Sequence, residues 1–177
     1  MFDPTAFDNM KVVIEGALYD LDLSGEIIIT DRNDWLNLAK LSRLFTISFQ
    51  LRGEGHSKIT AKLELESTLN NLAAELLPDS HREQLAGCFV KLHYFLEHKN
   101  DLEKFTEIER LLMENWGSTR KITQTIQYNP LMLSKKIKNV ITIDFQRLVS
   151  EDQLDDLVEL TALVCTTLQE LDNLIFD

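Results

Sequence analysis

Phe45, Ile47, Phe49 and Leu51 alternate with Thr46, Ser48 and Gln50. Past Gly53-Glu54-Gly55-His56 the alternation resumes, with Ile59, Ala61, Leu63 and Leu65 set against Thr60, Lys62, Glu64 and Glu66. Period two on both arms of a glycine-containing loop predicts an antiparallel hairpin with one buried and one wet face. Further on, Cys88, Val90, Leu92, Tyr94 and Leu96 alternate with Phe89, Lys91, His93, Phe95 and Glu97. Apolar residues fall on both sides of that stretch, as in a strand central to its sheet. Two more polar strands are expected, Arg120–Tyr128 with Ile122, Ile126 and Tyr128 on its apolar side, and Lys138–Val149 with Ile141, Ile143 and Phe145.

Elsewhere the period changes to three and four. Phe7, Met10, Ile14, Leu18 and Leu21 predict an amphipathic helix over 4–21, started by Asp3 as cap and Pro4 at the first helical position and stopped by Ser24-Gly25. Val12, Val13 and Gly16 keep a strand over Lys11–Asp20 as the alternative. Glu26–Thr30 reads as a short strand, and Asp34 as the cap of a short helix carrying Trp35, Leu38 and Leu41. Leu69, Leu72, Ala73, Leu76 and Leu77 mark a helix over 68–77 that Pro78 ends. Asn100 with Glu103 is a cap-and-return pair before Leu102, Phe105, Ile108, Leu112 and Trp116. Ser150 with Gln153 is a second such pair, opening the longest helix. Its Leu154, Leu157, Leu160, Thr161, Val164, Leu168, Leu171 and Ile175 span too wide an arc for a helix lying free in water.

These elements predict one α+β domain over 1–177: an N-terminal helix and short strand over 1–33, then a sheet-and-helix core over 34–177. The economical architecture is a single antiparallel sheet with helices packed on one face and a long C-terminal helix. From Asp34 onward the order helix, three strands, helix, two strands, helix resembles that of the small acidic chaperones of type III secretion. The resemblance covers roughly 34–175 and rests on element order, with the 68–77 helix and the N-terminal segment as departures. It implies a chaperone-like module that binds another protein.

Composition adds limits. The chain of 177 residues has a formal net charge of −11 and few Gly or Pro, which suits an ordinary globular domain. Cys88 and Cys165 lie far apart in apolar stretches without CxxC spacing, as reduced core residues do. Met1-Phe2-Asp3-Pro4-Thr5 lacks the basic and apolar regions of a secretory signal, and no apolar run is long enough to span a membrane, so the expected compartment is the cytoplasm. Overall acidity opposes attraction to nucleic acid or an anionic bilayer.

The charge is segregated. Asn115 to Ile143 carries no Asp or Glu but has Arg120, Lys121, Lys135, Lys136 and Lys138, while Ser150 to Asp177 carries acids and no Lys or Arg. Negative charge near the start of the last helix is favourable against the helix dipole, so much of the acidity has a structural role. Leu131, Met132 and Leu133, bracketed by Arg120 and Lys121 on one side and Lys135, Lys136 and Lys138 on the other, are therefore the candidate partner-binding residues, the partner being another protein or a second copy of the chain.

Catalytic chemistry finds little support. Asp20, Asp22, Ser24, Gly25 and Asp31 stand where a calcium-binding EF-hand loop has oxygen donors and its glycine, which makes a ligand- or metal-responsive protein the alternative function. Against it, Leu23 and Ile28 occupy normally polar positions, and a strand follows where that motif needs a helix. His56 and His81 have no neighbouring ligand pattern, and His93 and His98, five apart, fall on opposite sides of a strand. No GxSxG and no phosphate-cradling glycine loop occurs. The expectation is a non-enzymatic module without a cofactor.

Overall fold

The computed structural model describes residues 5–53, 59–77 and 83–176. Helix α1 (Ala6–Leu23) is followed by strands β1 (Ile27–Asn37), β2 (Ser42–Leu51) and β3 (Thr60–Ser67). Next come helix α2 (Leu69–Leu76), β4 (Cys88–Lys99), α3 (Leu102–Trp116), β5 (Lys121–Gln127), β6 (Lys136–Val149) and α4 (Leu154–Phe176). One six-stranded sheet runs in the order β1-β2-β3-β4-β6-β5, antiparallel throughout, so β4 is internal and β1 and β5 are its edges.

The helix-facing side of the sheet is a set of cross-strand rows. One such row passes through all six strands as Ile29, Phe49, Ala61, Tyr94, Ile141 and Gln124. Onto these rows pack Phe7, Met10, Ile14 and Leu18 of α1, Ile108 and Leu112 of α3, and Leu157, Val164, Leu168 and Leu171 of α4. The N-terminal helix thus belongs to the same core as the rest. Within the apolar stripe of α4, Leu157, Val164, Leu168 and Leu171 are buried in the core, while Leu154, Leu160 and Ile175 are partly buried against it.

Several expectations are corrected. The strand alternative over Lys11–Asp20 is excluded by α1. That helix is capped by Thr5, whose hydroxyl accepts from the Asp8 N–H at 3.2 Å; the expected cap at Asp3-Pro4 lies outside the described residues. The expected short helix after Asp34 is strand instead, because β1 continues to Asn37 and turns directly into β2 with Asn37 opposite Ser42. Asp34 caps nothing: its carboxylate accepts from Arg43 Nη2 at 2.7 Å and from Lys11 Nζ at 2.8 Å, pinning α1 to the β1–β2 hairpin. The cap of α3 is Asp101 rather than Asn100, since the Asp101 carboxylate accepts from the Glu103 N–H. The hairpin's outer face is also drier than its alternation implies: Thr46 and Ser48 are both buried.

Cys88 and Cys165 are both free thiols, and burial pushes them up to about 12 and about 11. Neither is a poised nucleophile. No helix of the described residues is long and apolar enough to cross a membrane.

Candidate functional site

Between β5 and β6 the chain makes an ordered turn. The side chain of Asn129 accepts from the Leu131 N–H at 3.0 Å, its carbonyl accepts from the Met132 N–H at 3.0 Å, and Ser134 Oγ accepts from the Lys136 N–H at 3.2 Å. Asn-Pro is suited to such a turn, because the Asn side chain replaces a backbone acceptor while Pro needs no donor. With the backbone satisfied locally, Leu131, Met132 and Leu133 point into solvent, 91%, 65% and 102% exposed. Tyr128, expected on the apolar side of β5, stands just beyond that strand and is exposed as well. Beside the turn is a cleft of about 1000 Å³, lined by Lys99, Tyr128, Met132, Lys135, Lys136 and Lys138 among others.

The cations around this cleft are unusual for so acidic a chain. Lys11, Arg32, Arg43, Arg52, Lys62, Lys91, Lys104 and Arg110 each have a carboxylate partner. Among the described residues Lys99, Lys121, Lys135, Lys136 and Lys138 have none, nor do Arg120, Arg147 and Lys40. With 29 acidic residues against 18 basic ones, the gap is not a shortage of acids.

The basic residues singled out in the sequence do not form one surface. Lys135, Lys136 and Lys138 gather at the turn with Lys99, which the register brings opposite Lys136. Arg120 and Lys121 sit at the other end of β5, where Lys121 faces Asp144, about 20 Å away at the usual rise per strand residue. Lys99 and Arg147 were not among the sequence candidates. Lys99 comes from a strand distant in sequence, and Asp144 breaks the acid-free window before Arg147.

The Asp20–Asp31 segment has other uses. Asp22 is paired with Arg52 at 2.8 Å and accepts from the Ile29 N–H at 3.3 Å; Ser24 ends α1 and donates to Glu26; Asp31 accepts from Asn33 at 2.7 Å. Among the described residues no three His, Cys, Asp or Glu side chains gather to hold a metal ion.

The two described histidines occupy opposite faces of β4, while His56 and His81 lie outside the described residues. His98 is buried against Phe105, with Nδ1 2.7 Å from the Lys99 carbonyl. A carbonyl only accepts, so Nδ1 carries the proton and Nε2 accepts from Asn139 Nδ2 at 3.0 Å. The Asn139 amide donates again to Gln124 Oε1 at 2.9 Å, and Gln124 Nε2 donates to the Phe105 carbonyl at 3.0 Å. This chain of donors joins β4, β6, β5 and α3 with His98 neutral, and it leaves the Asn139 amide oxygen buried without a donor among the described residues. Burial accordingly holds that imidazole below its ordinary value, with Lys104 acting in the same direction.

On the outer face, His93 Nδ1 is 3.0 Å from Thr142 Oγ1 and its Nε2 3.4 Å from Glu64 Oε2. Hydroxyl, imidazole and carboxylate are the members of a nucleophilic set, yet the backbone N–H groups around them are engaged in the sheet ladder, so none is free to stabilise an oxyanion. The contact instead lowers the Glu64 carboxyl, chiefly through His93 and against the opposing effect of burial.

No protein-family model, no curated protein and no solved structure matches this chain.

Proposed function

We propose that this chain is a non-enzymatic protein-binding module, a small adaptor, regulator or chaperone-like protein, whose β5–β6 turn docks an acidic segment of another protein that also carries apolar side chains. The observation that carries this reading is a gathering of lysines without a carboxylate partner around three exposed apolar residues, in a molecule of net charge −11. A fixed turn lowers the ordering cost on binding. Leu and Met offer an adaptable apolar contact, and desolvated lysines discriminate for acidic neighbours.

The test is a titration with labelled peptides alternating Glu and Leu, Lys and Leu, or Glu and Ser, read by fluorescence anisotropy. The Glu/Leu peptide is expected to bind, and binding should be lost both in Leu131→Ser/Leu133→Ser and in Lys135→Glu/Lys136→Glu. These positions are exposed, so the fold persists in either variant. Equal affinity for the Lys/Leu peptide, or unchanged affinity in the charge-reversed variant, would sink the reading.

A further inference from the structure

At the opposite end of the β5–β6 hairpin, the C-terminal end of α3, the last residues of β6 and the early turns of α4 enclose a cleft of about 460 Å³. Its floor is apolar, formed by Val90, Leu157, Leu160 and Leu163. Trp116 meets Phe145 edge to face, with ring centroids 5.8 Å apart at 85°, and the Arg120 guanidinium lies 4.5 Å from the Phe145 centroid. Arg147 lines the same cleft. Neither arginine has a carboxylate partner among the described residues, and burial and the nearby Arg147 both pull Arg120 down from its ordinary value.

Two further features fall at the same place. Trp116 is 8% exposed, and its indole N–H is buried without an acceptor among the described residues. A buried donor left unpaired is costly and calls for a partner. Opposite Val90, moreover, the β4–β6 register slips, and Gln146 in the bulge has a left-handed φ of 51°, its N–H donating to Asp144 Oδ1 at 2.9 Å. Bulges of this kind re-aim side chains beside ligand sites.

We propose that this cleft binds a small organic carboxylate with a flat apolar body, its carboxylate clamped between Arg120 and Arg147 and its body lying against Phe145, Trp116 and the leucines of α4. A guanidinium meets a carboxylate through two parallel N–H donors. The volume lies within the range of small-molecule sites. Asp156 and Glu159 also line the cleft, and their negative charge opposes a phosphate dianion more strongly than a singly charged carboxylate. The proposal is independent of the docking turn at the other end of the hairpin.

The protein contains two tryptophans, and Trp35, half-exposed on β1, is the one to remove. In Trp35→Phe protein, phenylacetate is titrated while the Trp116 fluorescence and the single indole N–H proton resonance are followed. Saturable quenching is expected at millimolar ligand, together with a saturable shift of the indole proton as the flat body packs beside the ring. Affinity should fall roughly tenfold or more in Arg120→Gln and in Arg147→Gln, the loss expected for one charged hydrogen-bonding partner. Arg147→Lys, which keeps charge but not the planar fork, should fall between. Should Arg120→Gln fail to fold, the exposed Arg147 variants decide alone. The proposal is overturned if phenylacetate and benzoate both fail to saturate, if Arg147→Gln binds as the parent does, or if phenyl phosphate binds tighter than phenylacetate.

Discussion

Replacing Gly87 with alanine should damage this protein more than its position in a short connecting segment suggests. Gly87 immediately precedes β4 and has a φ of 149°, and a Cβ built there would stand 2.2 Å from the Val149 carbonyl oxygen, 3.0 Å from its carbon and 3.2 Å from Leu148 Cγ. The carbonyl is backbone and cannot step aside cheaply. Val149 is paired with Cys88, and Ser150 after it is tied into the capping box of the 3-10 turn Glu151–Gln153 that leads into the last helix. The cost combines about 1–3 kcal/mol for an unfavourable backbone conformation with about 1–3 kcal/mol for overpacking, so about 4 kcal/mol in all. For a chain of this size that corresponds to a fall in Tm of roughly 8–16 °C. The assay is urea unfolding followed by far-UV circular dichroism, with Gly16→Ala as control. Gly16 lies in α1 with nothing within 4 Å of a new Cβ, so alanine there should stabilise by about 0.5–1 kcal/mol. A Gly87→Ala midpoint within about 1 kcal/mol of wild type, at unchanged slope, would refute the close approach of β4 to β6. Since Val149 also lines the carboxylate cleft, the variant should weaken phenylacetate binding as well.

Acid should act through Asp34. Hydrogen bonds from Arg43, with Lys11 adding to them, hold its carboxyl at about 2 against an ordinary 3.8, so its stabilisation is complete above that ordinary value and lost as pH falls through 2. Asp34→Asn should cost about 1 kcal/mol at neutral pH, allowing for the partial exposure of the cluster, and nothing near pH 2; a cost independent of pH would refute it. His98 acts at milder pH. Its folded-state value is depressed, so the unfolded chain takes up the proton first and stability should decline as pH drops below about 6.5, a slope that His98→Gln removes. The check is denaturant midpoints of both proteins from pH 5 to 8. Millimolar calcium should leave the Tm unchanged, because Asp22 and Asp31 are engaged by Arg52, the Ile29 N–H and Asn33; a rise would show that an ion displaces them.

The β2–β3 hairpin and the internal placement of β4 were legible because a strand half-buried against helices writes its alternation directly into sequence. Helix α1 was legible through Phe7, Met10, Ile14 and Leu18, although its β-branched residues pointed the other way. The segment after Asp34 misled because its apolar spacing fits a helix turn, whereas Arg43 and Lys11, the groups that claim its carboxylate, lie on other elements. The exposed apolar turn with its lysines was legible for the opposite reason: Leu131 to Lys138 are contiguous. The carboxylate cleft was not. Trp116, Arg120 and Arg147 are contributed by the end of a helix and by two strand ends, and the bulge at Gln146 leaves no mark in residue type. Grouping Arg120 with the lysines followed proximity along the chain, and a seven-residue strand undoes that proximity.

Strand β6 also sets an electrical direction for the whole molecule. It leaves the lysine-rich turn at Lys136 and delivers the chain, 14 residues on, to Glu151, Asp152, Asp155, Asp156 and Glu159. At the usual strand rise these opposite charges stand about 45 Å apart, far beyond the Debye length of about 8 Å at physiological salt. Screening therefore prevents them from neutralising one another, and each end meets a visitor separately. On the proposed reading, this charge distribution steers an acidic protein partner toward the lysine turn. Encounter should consequently slow steeply as salt is added while the lifetime of the formed complex changes little, the kinetic signature of steering rather than grip.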